Sequence, residues 1–335
     1  MTDPQELLRR GAKNAVFTCM GVTVHDRVFI LSDERSAVIG EALATAAQSS
    51  GAPVQLVLLE TYAPRPILAL PDRLRRDLHA FAPTVTFYTA AGHPGEITFR
   101  IGLRLHILQN LRVRHAHMIG ISQQLMREGM IADYHQVAAL TQRVTEIVRP
   151  AHEIRVTSPD GTALVVTFDA HLRWVPCTGL YHQPGQWGNL PEGETFTCPA
   201  SANGVVAARV LGDYFSDKYG ILDTPVFFYI HEGELTGIKC ARQEVVDDVW
   251  AYVSSAENGR RVGEFAIGTN CALHSLCGNL LQDEKLPGVH IAFGDALAHE
   301  TGAAWASSIH VDVIPIRCTI HVDGRPIMVD GEFTL

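Results

Sequence analysis

Residues 309–312, I-H-V-D, set His310 and Asp312 two apart in a run that otherwise reads as an apolar strand. Alternation along a strand turns residues i and i+2 to one face, so this imidazole and carboxylate can converge on a single ion. Three further stretches place an acid or imidazole among apolar neighbours and Gly or Pro punctuation. They are Q-W-G-N-L-P-E-G-E-T-F-T-C-P (186–199), G-E-F-A-I-G-T-N (263–270) and G-V-H-I-A-F-G-D (288–295). A buried carboxylate without a partner is costly, and a metal ion is one such partner. Glu194, Glu264, His290, His310 and Asp312 together make a mixed oxygen and nitrogen donor set, suited to Zn, Co, Mn or Fe rather than Ca or Mg. Three carboxylates leave one positive charge of two divalent cations, which a bridging hydroxide would neutralise. Two-metal hydrolysis is the chemistry that arrangement permits.

Spacing alone leaves plainer readings open. A His-x-Asp pair in a strand is also what a surface or hydrogen-bonded pair looks like, Glu194 in L-P-E-G-E reads equally as a solvated turn residue, and Glu264 has Arg260 and Arg261 nearby as ion-pair partners. His115 and His117 repeat the i, i+2 spacing in R-V-R-H-A-H-M, either facing a substrate or ending a solvated strand. Trp187 and Trp305 flank the motifs as pocket or packing aromatics, and Asn270 is a candidate to hold a ligand carboxylate or a substrate amine.

The elements that must position these residues fall into two halves. V-F-I-L-S (28–32), an Ala-rich amphipathic helix ending at Gly51, and P-V-Q-L-V-L-L (53–59) form a β-α-β succession, which predicts a Rossmann-like parallel sheet. No G-x-G-x-x-G joins the first strand to its helix, so dinucleotide binding is not expected. Strands are predicted at 84–88 and 113–121, and a helix over 133–149 ending before Pro150. From about residue 152 the hydrophobic period becomes two, at 153–158, 163–168, 204–210, 226–230 and 235–240. The expectation is an α/β domain over 1–150 and an α+β metal-binding catalytic domain over 151–335.

Composition narrows the function classes. With 335 residues, 47% hydrophobic, the chain can bury a sizeable core, and a net charge of −9 without basic clusters argues against nucleic acid or an anionic membrane as partner. No segment reaches the roughly 20 apolar residues of a membrane span, and the N-terminus lacks a signal-peptide run, so a cytoplasmic location is expected. The seven cysteines are scattered without C-x-x-C spacing, as reduced thiols are.

The four motifs, with G-N-L-L-Q-D-E-K-L-P-G-V-H-I-A-F-G running into the third, resemble the aminopeptidase T/aminopeptidase S family of metallo-aminopeptidases over most of 184–335 and more loosely before it. The resemblance implies a homodimer of two-domain subunits acting on a small or short-peptide substrate. It also implies a two-metal site of Zn, Co or Mn with ligands at Glu194, Glu264, His290, His310 and Asp312. In that scheme a metal-activated hydroxide attacks the carbonyl, and Glu194, expected in the most mobile turn, shuttles the proton. The family has a tyrosine seven residues after the histidine of H-I-A-x-G; here that position is Leu297, and His299 lies two residues beyond it. The tail H-V-D-V-I-P-I-R-C-T-I-H-V-D-G also resembles the Fe(II)-dependent 2,5-dihydroxypyridine dioxygenases, which implies one Fe(II) on Glu264, His310 and Asp312 as the alternative. Retention of Glu194 and His290 favours the hydrolase; the short chain and Leu297 favour the dioxygenase. Loss of the tyrosine also allows a catalytically inactive metal-binding protein.

Overall fold

The computed structural model describes residues 3–212 and 214–335 and divides them between two compact units. One contains the chain through Ala138 together with Gly179–Glu192; the other contains Ala139–Thr178 and Gly193–Leu335.

The first unit is built on a five-stranded parallel sheet in the order Val54–Leu58, Val28–Ser32, Val85–Tyr88, Arg114–His117, Trp187–Asn189. The predicted β-α-β start is present, its helix running over Ala37–Gln48. Phe29, Leu31 and Tyr88 of the sheet pack with Leu74, Leu78, Phe99 and Leu103 of the helices Asp72–Phe81 and Ile97–Leu105. Central strands buried on both faces read as unbroken apolar runs, which is how V-F-I-L-S reads. The fifth strand, Trp187–Asn189, lies inside the Q-W-G-N-L-P motif and is too short to carry a period.

The second unit holds two antiparallel sheets. Eight strands are ordered Glu234–Lys239, Val226–His231, Ser201–Ala208, Ala163–Thr167, Glu153–Thr157, Thr319–Val322, Arg325–Val329, Glu332–Phe333. Six more are ordered Val210–Leu211, His310–Ile314, Gly288–Gly294, Val262–Gly268, Glu194–Thr197, Val175–Cys177. One core joins them: Val156, Val166, Val206 and Phe228 from the larger sheet meet Phe265, Ile267, Ile291, Phe293 and Val311 from the smaller. Phe228 and Phe293 touch, with ring centroids 5.6 Å apart. Val245, Val249 and Val253, spaced four apart along the helix Gln243–Val253, add one helical stripe to that core. The α/β plus α+β class expected from the periodicities is the one observed. Among the described residues no helix is long and apolar enough to cross a membrane.

Because Phe293 is fully buried where the two sheets meet, Phe293→Ala should cost about 3–5 kcal/mol through lost burial and a residual cavity. Urea unfolding measures it, and a loss below about 1 kcal/mol would mean that the inter-sheet core is less tightly packed than described here.

Candidate metal centre

The smaller antiparallel sheet presents two chemically distinct faces. Strand register places Glu264, Ala292 and Asp312 in one row, His290 opposite Ala266 in the next, Glu194 opposite Gly268 beyond it, and His310 opposite Gly294 on the other side. Directly paired residues of antiparallel strands point to the same side. All five residues singled out from the sequence therefore share one face, and their direct partners Ala266, Gly268, Ala292 and Gly294 are small enough to leave them room, while Phe196 lies across Ala266 from His290 in the same row. The alternate residues, Phe265, Ile267, Ile291, Phe293, Val311 and Val313, fill the core behind.

A bulge makes this division possible. Val262 pairs with Phe293 while Glu264 pairs with Ala292, so the register shifts by one residue at Gly263. Without the shift Val262 and Glu264 would share a face; with it, Val262 joins the core and Glu264 turns to the site. A Cβ at Gly263 would lie 2.3 Å from the Gly294 carbonyl oxygen, so only glycine fits. Gly212 serves Asp312 similarly, since a Cβ there would come within 2.8 Å of Asp312 Oδ2.

The side chains converge. His310 Nε2 lies 3.1 Å from Glu264 Oε2 and 3.5 Å from Asp312 Oδ1. His290 Nε2 lies 3.6 Å from Glu194 Oε2 and 3.9 Å from both Glu264 Oε1 and Asp312 Oδ1. His310 Nδ1 is 3.2 Å from the Asp295 carbonyl oxygen. Donating its Nδ1 proton to that carbonyl turns Nε2 toward the carboxylates, the arrangement by which a ligating imidazole is commonly oriented.

Glu284 and Lys285 complete the cluster, two residues that the sequence pattern does not single out although they lie in the motif G-N-L-L-Q-D-E-K-L-P-G-V-H-I-A-F-G. Lys285 is fully buried, its Nζ 2.6 Å from Glu194 Oε1 and 2.8 Å from Glu284 Oε1. The backbone fixes both. Asp283 accepts the Cys277 and Gly278 amides at 2.8 Å each, and Asn270 N–H donates to the Lys285 carbonyl at 3.0 Å. The only sequence signal was a charged Glu-Lys step between L-L-Q-D and the buried strand Gly288–Gly294.

Electrostatics reflects the crowding. Burial works to lower the basicity of His310, but Asp312 and then Glu264 outweigh it and hold the imidazole well above its ordinary pKa. Burial works to raise the Asp312 carboxyl, yet His310, His290 and Lys285 together hold it below the usual carboxylate range. Glu284 is pushed well above its ordinary value, by burial first and by Glu194 and Asp312 against the pull of Lys285.

The donor set fits divalent ions. Ligand atoms of Glu264, His310 and Asp312 lie within 4.8 Å of one another, and so do those of Glu284, His290 and Asp312. Asp312 belongs to both groups. Glu194 Oε2 is buried with no hydrogen-bond partner, an orphan that a cation would satisfy.

Three expectations about neighbouring residues change. Glu194 opens the buried strand Glu194–Thr197, with only 6% of its surface exposed, so it is neither a solvated turn residue nor a mobile one. Glu264 pairs with His310 rather than with Arg261, whose guanidinium stacks on Trp305 4.0 Å from the ring centre. His115 and His117 do not end a solvated strand. They are buried in the parallel sheet, with Thr86 Oγ1 2.9 Å from His115 Nδ1 and the Tyr88 ring stacked on His117. Burial lowers His115 to about 3 and His117 well below its usual value, so both are neutral. Trp187 is half-buried against Arg104, whose guanidinium lies 4.2 Å from its ring centre. Asn270 is buried and reaches the cluster through the Lys285 backbone. Leu297 is half-buried in left-handed backbone ahead of the short helix Ala298–Thr301, and His299 is exposed on that helix.

Ala292 stands between Glu264 and Asp312 and is fully buried. Ala292→Leu should therefore cost about 1–3 kcal/mol by overpacking and abolish tight uptake of divalent ions. Thermal unfolding and metal analysis after dialysis measure the two effects; undiminished uptake would show that ions bind elsewhere.

The fold recurs in two solved structures. A 2,5-dihydroxypyridine dioxygenase from Pseudomonas putida KT2440 superposes with a TM-score of 0.71 at 18% identity, covering 100% of this chain and 98% of that one. AmpT from Thermus thermophilus superposes with a TM-score of 0.72 at 17% identity, covering 99% and 100%. No curated protein matches the sequence. The family profile described as thermophilic metalloprotease (M29) matches residues 114–333, about two thirds of the chain and the whole of the carboxylate and imidazole cluster, and the protein belongs to that family.

Proposed function

We propose that the protein is a metal-dependent hydrolase of the aminopeptidase type, cleaving a small peptide or amide at a site of two divalent ions such as Zn, Co or Mn. The observation that carries this reading is the position of Asp312, shared between two ligand-sized groups, each with its own imidazole and a further carboxylate. Membership of a metalloprotease family supports it independently. Glu264, His310 and Asp312 would hold one ion; His290, Glu194 and Asp312, with Glu284 beside them, would hold the other. Ions there supply Lewis acidity toward a scissile carbonyl and lower the pKa of an attacking water.

The chain's own residues supply the rest. Asp295 orients His310 through its carbonyl, and Lys285 fixes one oxygen of Glu194 and leaves Oε2 directed at His290. Glu194 is the carboxylate we assign to take up the proton released during attack; with Oε1 held by Lys285, Oε2 would have to give up its ion to do so. Leu297 offers no phenol to a reacting oxygen, which makes the substrate contacts differ from those the family resemblance implies.

A second reading has its own support: Glu264, His310 and Asp312 form a complete group without Glu194 or His290. One Fe(II) there would suit a ring-cleaving dioxygenase, the activity named for a protein that shares this fold.

Metal reconstitution followed by parallel assays of aminoacyl-amide hydrolysis and of oxygen uptake on dihydroxypyridines separates the two. Hydrolysis that is lost by at least about a hundredfold in Glu264→Ala and in Glu194→Ala is expected. Iron-dependent oxygen uptake that survives Glu194→Ala would replace the hydrolase by the dioxygenase.

A further inference from the structure

We infer that Lys285 is a built-in cation of the His290 half of the centre, and that it makes the two halves unequal: the group Glu264, His310 and Asp312 takes its ion tightly, and the His290 half takes a second ion only against Lys285. The inference rests on the metallohydrolase reading and deepens it.

Position is the first argument. The Lys285 ammonium contacts Glu194 Oε1 at 2.6 Å and Glu284 Oε1 at 2.8 Å, and these two carboxylates are the ones that stand with His290. An ion beside His290 would share Glu194 and Glu284 with an ammonium that already engages one oxygen of each. Among the described residues, Glu264 and His310 carry no ion pair with a lysine or arginine, so the other half is open to its ion.

Charge is the second argument. With both imidazoles neutral as ligands, the carboxyl groups of Glu194, Glu264, Glu284 and Asp312 can at most balance two divalent ions, and only with all four ionised. Adding the Lys285 ammonium leaves an excess positive charge inside a buried site, and at contact distance such a charge is only partly screened. One ion with Lys285 leaves no such excess.

Geometry is the third. Lys285 cannot withdraw freely, because its side chain is fully buried and its carbonyl is pinned by the Asn270 amide, two residues past the Glu264 strand. The ammonium is thus held in place by the same segment that carries Glu284, and competition with an incoming ion is a standing property of the fold.

Calorimetric titration of the chelator-stripped full chain with Mn(II), and separately with Zn(II), tests this. The wild type should take one ion tightly and a second at least about tenfold more weakly, and Lys285→Met should tighten the second by about tenfold or more while leaving the first within about twofold. A lysine that is merely structural would, on replacement, weaken both ions, the opposite direction. Equal constants for two ions in the wild type overturn the inference whether or not the variant folds, and so does a folded variant whose second constant is unchanged or weaker. A wild type that takes up no ion overturns the metallohydrolase reading itself, and the inference with it.

Discussion

Several carboxylates brought together out of water repel one another, and the second unit is organised around making that tolerable. Glu194, Glu264 and Asp312 share one sheet face, with Glu284 reaching the same place from the segment before the His290 strand. Two imidazoles and one ammonium face them, too little positive charge to satisfy the set while the imidazoles are neutral. The raised basicity of His310 and the unpartnered oxygen of Glu194 are two expressions of the same deficit. Divalent ions on either side of Asp312, as proposed above, would answer both.

The scaffold follows from that constraint. Room for the acids on one face requires Ala266, Gly268, Ala292 and Gly294 in their rows, and anchoring the sheet requires large residues on the other. The strands accordingly alternate large apolar with small or functional residues, as in E-F-A-I-G and H-I-A-F-G. Gly263 supplies the one irregularity that this alternation needs, the bulge that separates Val262 from Glu264. None of the cluster's residues comes from the parallel sheet of the first unit, whose two buried histidines are neutral and engaged with Thr86 and Tyr88.

Much of this was legible in the sequence. Period-two alternation located five of the fourteen strands of the second unit within a few residues, and His310 and Asp312 share a face because their spacing is two. The Gly and Pro around Glu194 pointed to a turn, and a turn does precede it, but Glu194 itself begins the strand that pairs with Gly268. Sequence pattern cannot place that boundary, because the partner strand lies about 70 residues away. Lys285 was illegible for a different reason. A lysine next to a glutamate reads as solvated surface, and only the tertiary fold reveals that it is buried against two acids. Trp187–Asn189 joins a sheet whose other strands all lie before residue 118, and three residues carry no period from which to predict that pairing.

Fold similarity by itself cannot choose the reaction. A dioxygenase and AmpT superpose on this chain equally well, with TM-scores of 0.71 and 0.72 at nearly the same low identity. What differs between candidate chemistries is how many positive charges the face around Asp312 accepts and where they sit. One half of that face closes on Glu264 and His310 without help; the other must reconcile His290 and Glu194 with a lysine. On the reading proposed above, whether one ion or two binds turns on the balance between a buried ammonium and the carboxylates it touches. The Asn270 N–H holds the Lys285 carbonyl, and Asp283, through the Cys277 and Gly278 amides, holds the segment that leads into it.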